Sequence, residues 1–128
     1  MLDHVSIPVT DLKRSAQFYD AVLATLGLRR RKERPGAIGY GSANRRAPVF
    51  WILTRAEAEA AMPGLGLHLS FCARDRQSVD AFHATALRSG AKDAGAPGLR
   101  PHYTAPFYGA FVIDPDGFKI EAVCREAA

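Results

Sequence analysis

The sequence predicts an α+β fold that contains two copies of one unit, each with a strand, a helix and three further strands. The main observation is an internal repeat: shifting the 128-residue chain by 64 positions aligns Asp3–Ile7 with Leu67–Phe71. The same shift pairs two candidate helix caps, Asp11 and Asp75. A chain of this length that is 48% apolar can bury one core but hardly two, so the copies are expected to pack together.

The first copy opens with a strand over Leu2–Val9, in which apolar residues alternate with polar ones such as His4. Asp11 offers an N-cap for the helix that follows, and Gly27 stands where a helix ends with a left-handed residue. Three strands are predicted to complete this copy, over Leu28–Glu33, Ala37–Gly41 and Pro48–Leu53.

The second copy repeats this order. Its first strand begins at Leu67, Asp75 caps the helix, and Gly90 ends it. The last two strands are joined by Asp114–Gly117, whose proline and glycine are typical of a tight turn. The three later strands are predicted over Lys92–Ala94, Phe107–Ile113 and Phe118–Cys124.

These boundaries divide the single domain, residues 1–128, into module 1 (1–53), a linker (54–66) and module 2 (67–124). Thr54 and Glu57 form a capping-box pattern, which predicts a short helix over Arg55–Ala61. The path of the linker decides whether the modules pair within one chain or exchange between chains, and both arrangements stay open.

Charge and composition exclude several classes of protein. The basic run Arg29–Lys32 is short and is followed by Glu33, so it predicts a solvated strand edge and no nucleic-acid binding. Cys72 and Cys124 form no C-x-x-C pair and lie in apolar runs, which favours buried, reduced thiols and a cytoplasmic protein. No apolar run is long enough to span a membrane.

Three polar residues carry the predicted chemistry. His4, His68 and Glu121 each lie in a strand, on the face opposite an apolar row. Two imidazoles and one carboxylate around a common cleft would form a facial ligand set for one divalent ion, with Fe, Mn, Ni and Zn all permitted. The alternative is that these are ordinary polar residues of half-buried sheets.

Four segments resemble the vicinal oxygen chelate superfamily, which includes glyoxalase I, extradiol dioxygenases, and fosfomycin- and bleomycin-resistance proteins. They are Asp3–Asp11, Arg14–Tyr19, Leu67–Phe71 and Asp114–Glu121. The resemblance covers nearly the whole chain. It implies two βαβββ modules that form a curved mixed β-sheet around a metal site.

The resemblance also implies a ligand set, a substrate and an assembly. His4, His68 and Glu121 would hold the ion, the substrate would be a small molecule, and the cleft would often be assembled across a homodimer interface. A homodimer is also expected because open sheets have unpaired edges that need cover.

One position departs from glyoxalase I. Aligning Pro48–Leu53 with Phe118–Val123 places Trp51 opposite Glu121. The resemblance to glyoxalase I implies a second carboxylate at this position of the first module. An indole cannot accept a proton or bind a metal in that way. We therefore expect Trp51 to form an apolar wall or to stack on a flat substrate, and glyoxalase I activity is not expected.

A segment near the end of the chain offers further candidates. Arg100 could hold an anionic substrate group, and His102, Tyr103 or Tyr108 could give or take a proton. The alternative is that the tyrosines are amphipathic sheet residues and that Arg100 is a surface charge. His83 is predicted to pack at the surface of the second helix.

Two functions follow from these residues. The first is a metal-dependent lyase, isomerase or dioxygenase that acts on a small substrate with two vicinal oxygens. The second is a non-enzymatic protein that binds a flat molecule in the same cleft, as bleomycin-resistance proteins do. Additional aromatic residues beside the ligands would favour the binding protein, and bound metal would favour the enzyme.

Overall fold

The computed structural model describes residues 2–54 and 67–127, and it contains the two predicted modules. The predicted linker helix over Arg55–Ala61 lies outside the described residues. The elements in chain order are β1 (Val5–Val9), α1 (Leu12–Ala24), β2 (Arg29–Arg34), β3 (Ala37–Gly41), β4 (Phe50–Thr54), β5 (His68–Cys72), α2 (Arg76–Arg88), β6 (Lys92–Leu99), β7 (Tyr108–Ile113) and β8 (Lys119–Cys124).

The eight strands form two four-stranded sheets with the same connectivity. The strand orders are β1-β4-β3-β2 and β5-β8-β7-β6. In each sheet the first and last strands of the module run parallel, and the other neighbours run antiparallel. Each sheet is therefore mixed, and the predicted α+β fold of two βαβββ modules is confirmed.

The helix caps follow the internal repeat. The Asp11 side chain accepts a hydrogen bond from the Arg14 backbone N–H at 3.1 Å, and Asp75 accepts one from that of Ser78 at 2.7 Å. Both aspartates thus satisfy an amide that the first helical turn leaves without a partner. Gly27 has a φ of 78°, as the predicted helix stop requires.

One hydrophobic core runs between the helices and the sheets. Its largest fully buried side chains include Tyr19, Tyr40, Phe50 and Phe82, which come from both modules. The face of each sheet opposite its helix is left for other contacts. Strand β2 is exposed along its whole length at a sheet edge, as predicted for the basic run Arg29–Lys32.

The two modules are joined by a partly buried polar junction, which we call the aspartate clasp: Asp114 and Asp116 with their partners on module 1. Asp116 Oδ1 accepts hydrogen bonds from Thr10 Oγ1 at 2.7 Å and Arg14 Nη2 at 3.1 Å, and Asp116 Oδ2 accepts one from Ser15 Oγ at 2.9 Å. The Tyr19 hydroxyl donates to Asp114 Oδ2 at 2.5 Å. The β7–β8 turn therefore holds the start of α1.

Two sequence-based expectations need correction. Strand β6 extends to Leu99, five residues beyond the predicted Ala94, because its pairing with β7 continues through irregularities near Gly95 and Gly98 that interrupt the alternating pattern. Cys124 is buried, but Cys72 is exposed, because the side chains of β5 alternate and Cys72 lies on the outer face. No helix in the described part of the chain is long and apolar enough to cross a bilayer.

Candidate functional site

Each sheet carries a cavity on the face that its helix does not cover. The module-1 cavity has a volume of about 250 Å³ and is lined by His4, Ser6, Arg34, Ala37, Trp51 and Leu53. The module-2 cavity has a volume of about 560 Å³ and is lined by His68, Ser70, His102, Tyr103, Thr104, Phe107, Phe111, Glu121 and Arg125. The predicted metal ligands are thus divided between two cavities of one chain.

The module-2 cavity contains a histidine beside a buried carboxylate. His68 Nε2 lies 3.3 Å from Glu121 Oε1, and the Glu121 side chain is only 3% exposed. Glu121 Oε2 is buried and has no hydrogen-bond partner among residues 2–54 and 67–127. A buried acceptor without a partner is costly, so this oxygen is a position at which a bound cation would be stabilising.

Strand order explains why Glu121 is buried. Strand β8 lies between β5 and β7, where Glu121 pairs with Ser70 on one side and Phe111 on the other. Neighbouring Gly109 keeps space open: a Cβ at this position would lie 3.3 Å from Glu121 Oε2 and 2.9 Å from the Phe107 ring. A glycine is therefore required for the carboxylate and the aromatic ring to share this side of the sheet.

These residues fit part of a divalent metal site. An imidazole nitrogen and a carboxylate oxygen are ordinary ligands of Fe, Mn, Ni and Zn, and the free Oε2 gives the carboxylate a reason to bind a cation. Among the described residues of a single chain, however, no three His, Cys, Asp or Glu side chains come together. The structure brings His68 and Glu121 together and places His4 in the other cavity.

His4 has an orienting partner of its own. Its Nδ1 lies 2.7 Å from Asp3 Oδ1, and the hydrogen bond with His4 lowers the pKa of the Asp3 carboxyl below its ordinary value. An ionised carboxylate at Nδ1 favours the tautomer that leaves Nε2 as an acceptor, which is the form that binds metals. The His4 side chain is 49% exposed and is therefore open to a partner outside its own module.

The strand register places Trp51 at the position equivalent to Glu121. Trp51 pairs with Ser6 across β1, and Glu121 pairs with Ser70 across β5. Ser6 and Ser70 are related by the 64-residue repeat. The exchange removes a carboxylate from the module-1 cavity and supplies an aromatic wall in its place.

Of the predicted proton-transfer residues, two line the module-2 cavity with His68 and Glu121. These are His102 and Tyr103, whose ring centres are 4.3 Å apart. Tyr103 also packs edge-on against Phe107, with ring centres 5.0 Å apart. Both residues lie in the turn between β6 and β7, so they reach the cavity from its rim.

The third candidate, Tyr108, lies on the other face of the sheet. Its hydroxyl donates to Asp80 Oδ1 on α2 at 2.6 Å, and this hydrogen bond raises the pKa of the phenol above its ordinary value. Its ring lies under the Arg76 guanidinium at 5.1 Å. The structure therefore does not bring Tyr108 to Glu121.

Arg100 borders the module-2 cavity but is not part of its lining. Its guanidinium donates to the Ala96 carbonyl at 2.7 Å and lies 5.7 Å from the centre of the Phe111 ring. His83 packs as predicted, with Nε2 2.9 Å from Asp93 Oδ1. Neither residue contacts the His68–Glu121 pair.

Sequence reasoning missed two arginines that line the cavities. Arg125 lies 5.0 Å over the Phe107 ring, and Arg34 lies 5.1 Å over the Trp51 ring. Arg125 has the same strand parity as Glu121, which is the signal that could have found it. Arg34 follows the basic run Arg29–Lys32, and the sequence alone does not distinguish it from these residues. Its place in the cavity depends on the pairing of β2 with β3.

The sequence profile of the Glyoxalase/Bleomycin resistance protein/Dioxygenase superfamily matches residues 1–122. The chain belongs to this superfamily. A glyoxalase/bleomycin resistance protein from Albidiferax ferrireducens T118 has 36% identity and a TM-score of 0.86, with 97% of this chain and 98% of that chain covered. The predicted family resemblance is confirmed. None of the curated proteins matches this sequence significantly.

More distant superfamily structures share the fold. The fosfomycin resistance protein FosX from Mesorhizobium loti has 16% identity and a TM-score of 0.69, with 97% of this chain and 91% of that chain covered. A glyoxalase-related enzyme from Fulvimarina pelagi has 20% identity and a TM-score of 0.74, with 97% and 87% covered. The superfamily fold therefore extends over nearly the whole of this chain.

Proposed function

We propose that the protein is a divalent-metal-dependent enzyme that acts on a small substrate with two adjacent oxygen atoms. The observation that carries this proposal is the pairing of His68 with the buried Glu121, whose Oε2 has no partner in the described part of the chain. A buried carboxylate oxygen without a partner is costly, and a bound cation would offset this cost.

We infer that the third ligand is His4 of a second copy in a homodimer. The two cavities of one chain hold complementary parts: an oriented imidazole in module 1, and a histidine–carboxylate pair in module 2. A two-fold axis that sets one cavity against the other would form two identical sites per dimer. Both cavities open on sheet faces that the helices leave free.

When bound, the ion would act as a Lewis acid on the two substrate oxygens. His102 and Tyr103 are placed at the cavity rim to donate or accept a proton at the substrate. Arg100, whose guanidinium already donates to the Ala96 carbonyl, would bind an anion with its remaining N–H groups. The free thiols Cys72 and Cys124 support a reducing, cytoplasmic environment.

The reaction class follows from Trp51. Because an indole stands at the position equivalent to Glu121, module 1 supplies no carboxylate base. We therefore propose a lyase, isomerase or dioxygenase other than glyoxalase I. Turnover of a hemithioacetal at about 10 per second or faster by the metal-loaded protein would contradict this assignment.

A second candidate function is the binding of a flat molecule without turnover. Three aromatic side chains, Tyr103, Phe107 and Phe111, line the module-2 cavity beside Glu121. Such a lining favours stacking of a planar ligand. Saturable binding of an unreacted aromatic ligand by metal-free protein, with no metal bound in titrations, would favour this function.

The trans arrangement is tested by mixing two defective variants, His4→Ala and Glu121→Gln, and measuring tightly bound metal after dialysis. Each variant alone should retain little metal. Random exchange of subunits should restore about a quarter of the wild-type sites, because half of the dimers are mixed and each mixed dimer contains one intact site. No restoration in mixtures shown to exchange subunits would contradict the shared site.

A further inference from the structure

We propose that Arg34 and Trp51 form an anion-recognition wall, and that the substrate is a planar molecule that carries a carboxylate. The inference deepens the proposed function by naming the substrate class, and it depends on that function for turnover. It starts from the module-1 cavity, the part of the candidate site that contains no carboxylate side chain in its lining.

The indole is held in place by the strand beside it. Trp51 pairs directly with Gly39 across β3, and a Cβ on Gly39 would lie 2.9 Å from the indole and 2.7 Å from the Pro48 ring. The indole therefore packs directly against the backbone of Gly39, and a side chain at position 39 would displace it. A fixed aromatic surface loses little conformational entropy when a flat ligand stacks on it.

Arg34 provides a positive charge on the same wall. Its guanidinium carbon lies 5.1 Å from the centre of the Trp51 ring, within the range of a cation–π contact. Stacking on the indole limits the motion of a planar group whose edge can bind a carboxylate through two hydrogen bonds. Strand pairing of Arg34 with Ala37 fixes this position at the end of β2.

Nearby acidic side chains are already engaged. Glu33 Oε1 accepts from Arg30 at 3.1 Å, and Asp3 is bound to His4 at 2.7 Å. Within residues 2–54 and 67–127, Arg34 forms no salt bridge. An anion brought by a ligand would meet a guanidinium that these carboxylates do not neutralise.

The size of the cavity limits the ligand. Its volume of about 250 Å³ is below the range of roughly 300–1,000 Å³ that is common for drug-sized ligands. This space suits one ring with its acid group. His4 lines the same cavity, so a carboxylate held by Arg34 would place the rest of the ligand near the proposed metal site.

The single tryptophan of the chain provides the test, because Trp51 is the only one present. Its fluorescence is titrated with benzoate and with benzamide, an uncharged molecule of similar shape, in the full-length protein with a chelator present. Benzoate should bind at least about tenfold more tightly than benzamide. Arg34→Gln should abolish this preference, and Arg34→Lys should restore part of it.

Arg88→Gln is the matched control, since Arg88 lies at the end of α2 and its one side-chain hydrogen bond among the described residues is to Thr85 of its own helix. It should leave both titrations unchanged. Equal binding of benzoate and benzamide, no benzoate binding, or an unchanged preference in Arg34→Gln would overturn the inference. The titrations contain a chelator and therefore report the anion wall independently of the metal. If separate titrations show that the protein binds metal but it has no preference for benzoate, only the anion wall is contradicted. An intact preference without metal binding contradicts only the proposed enzyme.

Discussion

At the scale of single residues, the two cavities differ in one pair of residues that face each other on neighbouring strands. Module 2 has Phe111 beside Glu121, and module 1 has Gly39 beside Trp51. The first pair contains a buried carboxylate oxygen without a partner among the described residues. The second pair has an indole at the equivalent position, packed against Gly39. The same backbone pattern therefore offers a cation site in one module and an aromatic wall in the other.

Replacing Glu121 with Gln should lower divalent-metal affinity by about 100-fold or more, because a neutral amide replaces a charged ligand. The melting temperature of the metal-free protein should stay the same or rise, since the variant removes a buried charge. Metal titration and thermal unfolding check these two effects. Glu126→Gln is the control, because Glu126 is exposed beyond β8. Equal losses in both variants would contradict a direct role for Glu121.

Gly39→Ala should lower the free energy of unfolding by about 1–3 kcal/mol, because the new methyl group would lie 2.7 Å from the Pro48 ring and 2.9 Å from Trp51. The emission of Trp51 should shift as the indole is displaced. Denaturant unfolding followed by fluorescence measures both changes. Gly98→Ala serves as control, because its Cβ would lie 3.0 Å from the end of the flexible Arg100 side chain. It should lower the free energy of unfolding by less than Gly39→Ala does.

The sequence predicted which strand residues share the module-2 cavity better than it predicted the residues around them. Strand alternation was enough to place His68 and Glu121 in one cavity, since a strand has only two faces. The expectation for Tyr108 was wrong although the strand was predicted, because Tyr108 has the opposite parity to Phe111 and its side chain lies on the helix side of the sheet. Nor could strand alternation show that Arg100 donates to the Ala96 carbonyl four residues earlier, because this contact depends on the irregular path of β6 near Gly98.

At the scale of elements, the aspartate clasp decides how the β7–β8 turn holds α1. Burial raises the pKa of Asp116, but hydrogen bonds from Thr10 and Ser15 and the charge of Arg14 outweigh it and lower the pKa below its ordinary value. Burial raises the pKa of Asp114, and the hydrogen bond from Tyr19 only partly opposes this. The two aspartates therefore influence acid stability in opposite directions.

Asp116→Asn should lower the free energy of unfolding at pH 7 by about 2–4 kcal/mol, because it weakens several hydrogen bonds to a charged acceptor. The lowered pKa of Asp116 means that its stabilisation is present above an unfolded pKa of about 4 and is lost as the pH falls through the folded value. The variant should therefore lose less stability than the wild type between neutral pH and about pH 3. Denaturant unfolding across this range measures the difference. Parallel pH profiles would contradict it.

The prediction of elements succeeded where local signals agreed. The caps Asp11 and Asp75 marked both helices, and Ala37–Gly41 has the predicted strand bounds. It failed at β6, where glycines and a proline obscure the alternation and the strand exists because β7 lies beside it. Pairing with a neighbour, rather than the propensity of the segment, stabilises that element.

At the scale of the whole molecule, we expect a homodimer at micromolar concentration. The single chain leaves both cavities open and its proposed metal ligands in separate cavities. Sedimentation equilibrium should therefore give about twice the chain mass of 13.9 kDa. Metal should shift the equilibrium further towards the dimer, because a shared ion binds only the associated form. A monomer at about 10 μM, with and without metal, would contradict this prediction.

The aspartate clasp also shows that the two modules are not interchangeable, although they share one fold. The donors to Asp116 come from module 1, and the 64-residue shift replaces them with residues that cannot repeat the arrangement. Thr10, Arg14 and Ser15 correspond to Arg74, Ser78 and Val79. A tandem of two module-2 sequences would therefore have Asp116 but lack the threonine, arginine and serine that bind it. Each module therefore depends on the sequence of the other for this junction, although both follow the same order of strands and helix.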